Sequence, residues 1–241
     1  MLENLFRPLM ELIFPSNIYC MCCERPIDSK MPYSLCGHCV RIVQWVDGNS
    51  CSKCGKPLYN YGSDTCKDCS LSNREFKRGF TTVRYSRLER DIIHQFKYRD
   101  RSYYGEKLAE LMYERILSED IDADLILPVP MYKLKERRRG YNQAGLLARA
   151  LARNLDKPYY PDLLIRNLDT RPMSSLGAEE RKKNLEGAFS VDGDKAHIIK
   201  DKTILLVDDI FTTGSTVNAC SEALRKFGAA SVYVLTFAAG S

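Results

Sequence analysis

No stretch of this 241-residue chain is long and apolar enough to span a bilayer, so an integral membrane protein is not expected. No G-x-x-x-x-G-K-[ST] loop occurs anywhere, which removes the P-loop nucleoside triphosphatases. Neither a helix-turn-helix nor a heptad pattern supports site-specific reading of duplex DNA. Only three histidines are present, and no His or Glu is placed by its spacing as a general base. His94 reads as a helix-face residue and His197 as a surface-loop residue. Nothing between Tyr85 and Gly105 forms a recognisable set for reading a nucleobase. The charge excess is small, 36 Lys and Arg against 31 acids, which permits nucleic acid without requiring it. The first residues do not read as an export signal. Leu2, Leu5, Phe6, Leu9, Leu12 and Ile13 follow helical spacing, broken by Glu3, Arg7 and Glu11 and closed by Pro15, so an amphipathic helix is expected over residues 1–16.

Cysteine is scarce in most of the chain and concentrated in one part: nine of the ten lie before residue 70, and only Cys220 lies beyond. The nine include four C-x-x-C pairs, Cys20/Cys23, Cys36/Cys39, Cys51/Cys54 and Cys66/Cys69, arranged as two repeats of one plan. Two thiolates at that spacing wrap one face of a tetrahedral ion and a second pair completes it, so the expectation is two structural zinc ions, each on four thiolates. Pairing of neighbouring C-x-x-C elements is the simple arrangement, and an interleaved one would use the same ligands. Cys36-Gly37-His38-Cys39 has the letters of a dithiol oxidoreductase, but three further pairs surround it and no βαβ pattern follows it directly. A reducing cytoplasm, expected without an export signal, also argues against disulfides. Cys22 is left over and could displace a neighbour as ligand. Cys220 reads as a small buried side chain.

Ile204 to Thr216 reads Ile-Leu-Leu-Val-Asp-Asp-Ile-Phe-Thr-Thr-Gly-Ser-Thr. Four apolar residues make a buried strand that Asp208 and Asp209 are expected to end, and a small-residue loop leads into a helix marked by Val217, Leu224 and Phe227. Gly214 lets the backbone turn around an anion, while Thr212, Thr213, Ser215 and Thr216 offer hydroxyls beside the free amides of a helix N-terminus. The paired acids do not suit a phosphate. They suit ribose hydroxyls or water on a magnesium ion. A second strand, Asp124-Leu-Ile-Leu-Pro-Val-Pro130, is stopped by its prolines and followed by a basic stretch, Lys133-Leu-Lys-Glu-Arg-Arg-Arg139, expected as a loop whose charge could answer a pyrophosphate.

The segment at 204–216 resembles the phosphoribosyl-pyrophosphate (PRPP) motif of type I phosphoribosyltransferases. That likeness implies 5-phosphate binding by Thr212 to Thr216 and ribose binding by Asp208 and Asp209. A wider resemblance rests on Leu-Pro-Val-Pro, then Arg138-Arg-Gly-Tyr-Asn-Gln-Ala144, then Arg181-Lys-Lys-Asn-Leu-Glu-Gly-Ala-Phe189, then the PRPP motif. With the cysteine module after Leu-Ile-Phe-Pro15, the order is similar to that of ComF-type competence proteins over nearly the whole chain. The resemblance implies a zinc finger joined to a phosphoribosyltransferase-like domain that acts in uptake of single-stranded DNA during natural transformation. It places Arg137, Arg138, Arg139 and Arg181 on the pyrophosphate side and Asn142 and Gln143 on the helix behind it. It further implies PRPP with Mg2+ as ligand, and a competence DNA-translocation machinery at the inner face of the membrane as partner. One departure stands out: the family usually has a Thr followed three residues later by Gln, and this chain keeps Thr170 but carries Met173, which lacks an amide's hydrogen bonds.

The expected fold is α/β, a type I phosphoribosyltransferase-like parallel sheet preceded by a small cysteine-rich zinc module. The boundaries are 1–16 for the amphipathic helix, 17–78 for the zinc module and 79–241 for the phosphoribosyltransferase-like domain. Strands are expected near Thr81–Tyr85, Leu125–Val129, Thr203–Val207 and Val232–Phe237, with helices near Leu88–Tyr98, Tyr104–Leu117, Tyr141–Asn154 and Ser215–Phe227. The stretch Arg166 to Gly187 reads as a surface lid. An active phosphoribosyltransferase of nucleotide metabolism, with an unidentified base or amine as acceptor, is the alternative to a DNA-uptake role. Phe96-Lys-Tyr-Arg-Asp-Arg-Ser-Tyr-Tyr104 interleaves bases with aromatics, a pattern able to follow a single strand. The same pattern also fits an amphipathic helix end whose Tyr rings pack on the sheet while Lys97, Arg99 and Arg101 face water. The resemblance to ComF-type proteins favours DNA, and the expected contacts on that basis are Lys97, Arg99, Arg101, Lys133 and Lys135.

Overall fold

A computed structural model describes residues 17–46, 48–59, 62–98, 103–170 and 178–240, so the helix expected over residues 1–16 lies outside the described residues. The cysteine module holds two short helices, α1 (Cys39–Ile42) and α2 (Lys67–Leu71). Its repeat is visible in the backbone. Cys20 N donates to Arg25 O at 2.9 Å and Ile27 N to Ile18 O at 2.9 Å; in the second repeat Cys51 N donates to Lys56 O at 2.7 Å and Leu58 N to Asn49 O at 2.9 Å.

Beyond the module the chain runs β1 (Arg78–Arg84), α3 (Arg87–Tyr98), α4 (Tyr104–Leu117), β2 (Leu125–Pro128), α5 (Lys133–Arg139), α6 (Gln143–Leu155) and β3 (Leu164–Arg166). It continues through α7 (Ala178–Leu185), β4 (Phe189–Val191), β5 (Thr203–Phe211), α8 (Ser215–Lys226) and β6 (Ser231–Ala239). The main sheet has the order β1-β6-β5-β2 with every pairing parallel. Successive strand residues face opposite sides, and here both sides are covered. Leu205, Val207, Leu235 and Phe237 join one core with Phe96, Leu108, Met112, Leu147 and Leu151. Ile204, Leu206, Val232 and Val234 join the other with Val217, Leu224, Leu164 and Phe189. That is why these strands read as unbroken apolar runs. Each fully buried large side chain contributes about 1.5–3 kcal/mol relative to exposure.

The edge strand β1 is covered by the zinc module. Val46 N donates to Thr82 O at 3.0 Å and Arg84 N to Gln44 O at 2.7 Å, so Gln44–Val46 acts as a short antiparallel addition to the sheet. The second repeat presses on the start of the same strand: Gly79 N donates to Lys53 O at 2.8 Å. A Cβ on Gly55 would lie 2.6 Å from Gly79 O, and one on Gly79 would lie 2.7 Å from Cys54 O. Two glycines are what let these backbones touch.

Two expectations need correction. The acids do not end β5, because β6 continues to pair with it through Asp208↔Thr236 to Phe211↔Ala239. Lys133–Arg139 is a helix rather than a loop, closed by Gly140 in the left-handed conformation (φ 91°). Of Arg166 to Gly187, Asn167, Leu168, Asp169, Glu186 and Gly187 are exposed and Thr170 and Leu185 are buried, and the stretch is flanked by β3 and β4, which form an antiparallel ribbon. Met173 lies outside the described residues.

Candidate functional site

The loop after β5 is shaped by one glycine and one ring. Gly214 has φ 77°, and a Cβ there would sit 2.3 Å from the Phe211 ring. Phe211 is buried and meets Phe76 edge-on at 6.3 Å, which holds the turn from below. Helix α8 starts at Ser215, so its first amides, which have no partners within the helix, open at the end of the loop. Thr213 Oγ1 and Ser215 Oγ lie 2.9 Å apart, Thr216 is half-buried, and Thr212 is exposed at the rim. Hydroxyls and amides on a helix N-terminus make a cradle for a phosphate dianion.

Asp208 and Asp209 stand just before this cradle. Asp209 N donates to Asp208 Oδ1 at 2.9 Å, and the Asp209 carboxylate forms an ion pair with Lys97, which projects from the last turn of α3. Burial, with the neighbouring Asp209 adding to it, pushes the Asp208 carboxyl up to about 8. Near neutral pH the pair therefore holds one proton and one ion-paired charge, ready both to donate to and to accept from sugar hydroxyls.

The basic helix opens onto the same end of the sheet. β2 and β5 are neighbours, and Val129 N donates to Val207 O at 2.8 Å just before the acids. In open α/β sheets, ligands sit outside these carboxyl ends. Arg137 and Arg138 on α5 are exposed, while Arg139 is half-buried with Nη1 donating to Gln143 Oε1 at 2.7 Å. Asn142 Nδ2 donates to Val129 O at 3.0 Å, tying the start of α6 to the strand end. Lys135 pairs with Asp169 at 2.5 Å, and Lys133 is exposed. The Arg181 side chain lies outside what is described.

Arg166, on β3, had no role assigned from the sequence. Its guanidinium lies over the Phe189 ring at 5.4 Å and donates to Thr170 Oγ1. Burial lowers its pKa, and the charges of Cys220, Asp208 and Asp169 oppose that shift. Lys97 is seated in the acid site, where the sequence reading had it as a DNA contact. A signal for this existed: Ile93, Phe96 and Lys97 share one helix face, and the first two are core residues. The interleaved aromatics of that segment also separate. Phe96 and Tyr104 are buried and cannot stack on a base, while Tyr103 is about half exposed. Arg99 and Arg101 lie outside the described residues.

The cysteines gather in sequence order. The sulfurs of Cys20, Cys23, Cys36 and Cys39 lie within 4.8 Å of one another, as do those of Cys51, Cys54, Cys66 and Cys69. Cys23–Cys36 and Cys54–Cys66 sulfurs are 3.8 and 3.6 Å apart, too far for disulfides and close to the roughly 3.8 Å edge of a tetrahedron with Zn–S bonds of about 2.3 Å. Cys36 N and Arg74 Nε each donate to a cluster sulfur, Cys20 Sγ and Cys69 Sγ, at 3.4 Å, as outer partners of thiolate ligands do. Both sets suit structural zinc. Cys22 is outside both clusters, and Cys220 is buried.

Such a molecule is a phosphoribosyltransferase-domain protein with a double zinc ribbon. The phosphoribosyl transferase domain family matches residues 106–241, and the double zinc ribbon domain family matches residues 9–70. Competence protein F of Haemophilus influenzae (strain Rd) is 31% identical over 223 residues, 90% of this chain and 89% of that protein. DNA utilization protein YhgH of Escherichia coli K12 is 30% identical over 220 residues, 89% of this chain and 94% of that one. Competence protein ComFC of Bacillus subtilis (strain 168) is 26% identical over 220 residues, 86% and 85% of the two chains. The chain belongs to the ComF family of competence proteins.

Proposed function

We propose that this protein binds PRPP with Mg2+ at the end of β5 and acts in the uptake of single-stranded DNA during natural transformation. The observation that carries the ligand is the loop itself: a left-handed Gly214 that admits no side chain, hydroxyls on a helix N-terminus, and a half-buried acid pair just before them. In this reading Thr212, Thr213, Gly214, Ser215 and Thr216 hold the 5-phosphate, and Asp208 and Asp209 take the ribose hydroxyls. Arg137, Arg138, Arg139 and Arg181 face the pyrophosphate, whose charge Mg2+ shares when bound. The DNA role draws on relatives named competence and DNA utilization proteins. No described helix is long and apolar enough to cross a membrane. In this reading the protein works at the cytoplasmic face beside the DNA-translocation machinery. Exposed Lys133 beside Arg137 and Arg138 on α5, together with the zinc knuckles, offers a surface for a phosphate backbone.

Calorimetry with PRPP and Mg2+ tests the reading. Wild type binds, and the Asp208→Ala, Asp209→Ala double variant loses binding while keeping its zinc. Unchanged affinity in the double variant would refute the assignment.

A further inference from the structure

We propose that Lys97 is the resident counter-cation of the acid pair: it occupies Asp209 until the ligand arrives, keeps free divalent metal off both carboxylates, and so makes the metal enter only on the diphosphate of the incoming phosphoribosyl compound. The proposal rests on the PRPP reading of the site and adds the order in which metal and sugar phosphate must arrive.

An ionised Asp209 with Asp208 beside it, near the end of β5, would ordinarily attract Mg2+ or Mn2+ from solution. Here the geometry opposes it. The Lys97 ammonium is in contact with Asp209 Oδ2, that oxygen is out of reach of solvent, and both side chains are largely enclosed, at 21% and 13% exposure. A hydrated dication approaching Asp209 would meet a fixed positive charge at contact distance.

Lys97 is not a loose surface lysine that happens to fold over. Its helix is anchored at the first turn by Ser86 and Glu89, is packed through Ile92, Ile93 and Phe96, and is held near its end by Tyr141 Oη donating to Phe96 O. The ammonium is therefore delivered by a rigid element. Ribose hydroxyls are neutral and can take the ammonium's place on Asp209 without bringing charge of their own, donating a hydrogen bond to an oxygen that otherwise has none. The displaced ammonium then faces the anionic diphosphate, and a divalent ion already bound to that diphosphate arrives with its charge answered.

The test titrates Mn2+, followed by electron paramagnetic resonance, into zinc-loaded full-length protein without PRPP. Wild type is expected to show no Mn2+ site that depends on Asp209. Lys97→Met is expected to gain one, tighter than any wild-type binding by at least about tenfold, as removal of a fixed unit charge beside the carboxylate implies. Lys97→Met with Asp209→Asn should lose it again, and Lys97→Arg, which keeps the charge, should behave as wild type. Lys97→Gln replaces Lys97→Met if the latter fails to hold its zinc. An Asp209-dependent Mn2+ site in wild type, or none in the charge-removed variant, overturns the proposal. PRPP with Mn2+ is measured separately on wild type: failure there strikes the PRPP reading, whereas the metal-only titration judges Lys97 in either case.

Discussion

Replacing Asp208 by Asn should change how stability depends on pH, and the sign is set by the structure. The carboxyl stands at about 8 where an ordinary Asp stands at 3.8, because it is buried and beside Asp209, with Lys97 pulling the other way. Between those two values the folded protein holds a proton that the unfolded chain has released. Stability from this group is thus complete below about pH 4 and is lost as pH rises towards about 8, with a slope of up to about 1.4 kcal/mol per pH unit. Asp208→Asn keeps the shape and the oxygen that accepts from Asp209 N, and removes the titration. Over about pH 5 to 8 the ceiling for the difference is about 4 kcal/mol, and since water entering the loop relaxes part of the burial we expect about 2.

The assay is urea unfolding of zinc-loaded wild type and variant at several values in that window. Staying above about pH 5 limits acid release of zinc from its thiolates. Asp124 and Asp192 have lowered pKa values from their partners Thr203 and Lys195, but they are common to both proteins and cancel in the comparison. The variant should gain on wild type steadily as pH rises. Parallel curves for the two proteins would show that Asp208 is ionised throughout, and the account of the acid pair as one proton and one ion pair would be wrong.

Elemental analysis of untagged protein should give two zinc ions per chain, with chelation unfolding the module; a value below one would refute both sites. Glu89→Ala should cost about 2–4 kcal/mol, because a fully buried carboxylate that accepts from both Ser86 Oγ and Gln44 N is removed; thermal melting showing less than about 1 kcal/mol would mean the contact is dispensable. Single-stranded DNA binding should be sequence-tolerant and weakened by salt, with a slope of about −0.7 in log affinity per phosphate contact, and Lys133→Ala with Lys135→Ala should reduce it. Anisotropy showing identical binding by that variant would take α5 off the DNA surface.

What could be read from the sequence is what local pattern controls. Ile204–Val207 announces itself because both its faces are buried, and the four C-x-x-C pairs carry zinc geometry in their spacing alone. In the basic stretch 133–139 charge masks propensity: Lys, Leu, Glu and Arg are good helix formers, and Gly140 marks the stop. β3 and β4 have three residues each, too few to show a period, and are stabilised by one another and by α8. The pairing of Gln44–Val46 with β1 and of Lys97 with Asp209 joins residues far apart in the chain, and no local rule reports such partners.

The same Gln44 also touches the helix that carries Lys97, which bears on why a cysteine module belongs to this protein at all. At the N-terminal end of α3, Ser86 Oγ donates to Glu89 Oε2, and Glu89 Oε1 accepts at 2.9 Å from Gln44 N, in the segment that follows the first cysteine cluster. At the C-terminal end of the same helix stands Lys97 on Asp209. The module also covers the exposed edge of β1, the strand that leads into α3. A ribbon serving only to grip DNA would need no buried carboxylate reaching into it. Gln44 of the cysteine module thus meets the first turn of α3, and the last turn of that well-packed helix brings the ammonium to Asp209, so the cysteine clusters and the candidate phosphoribosyl site are joined through one element.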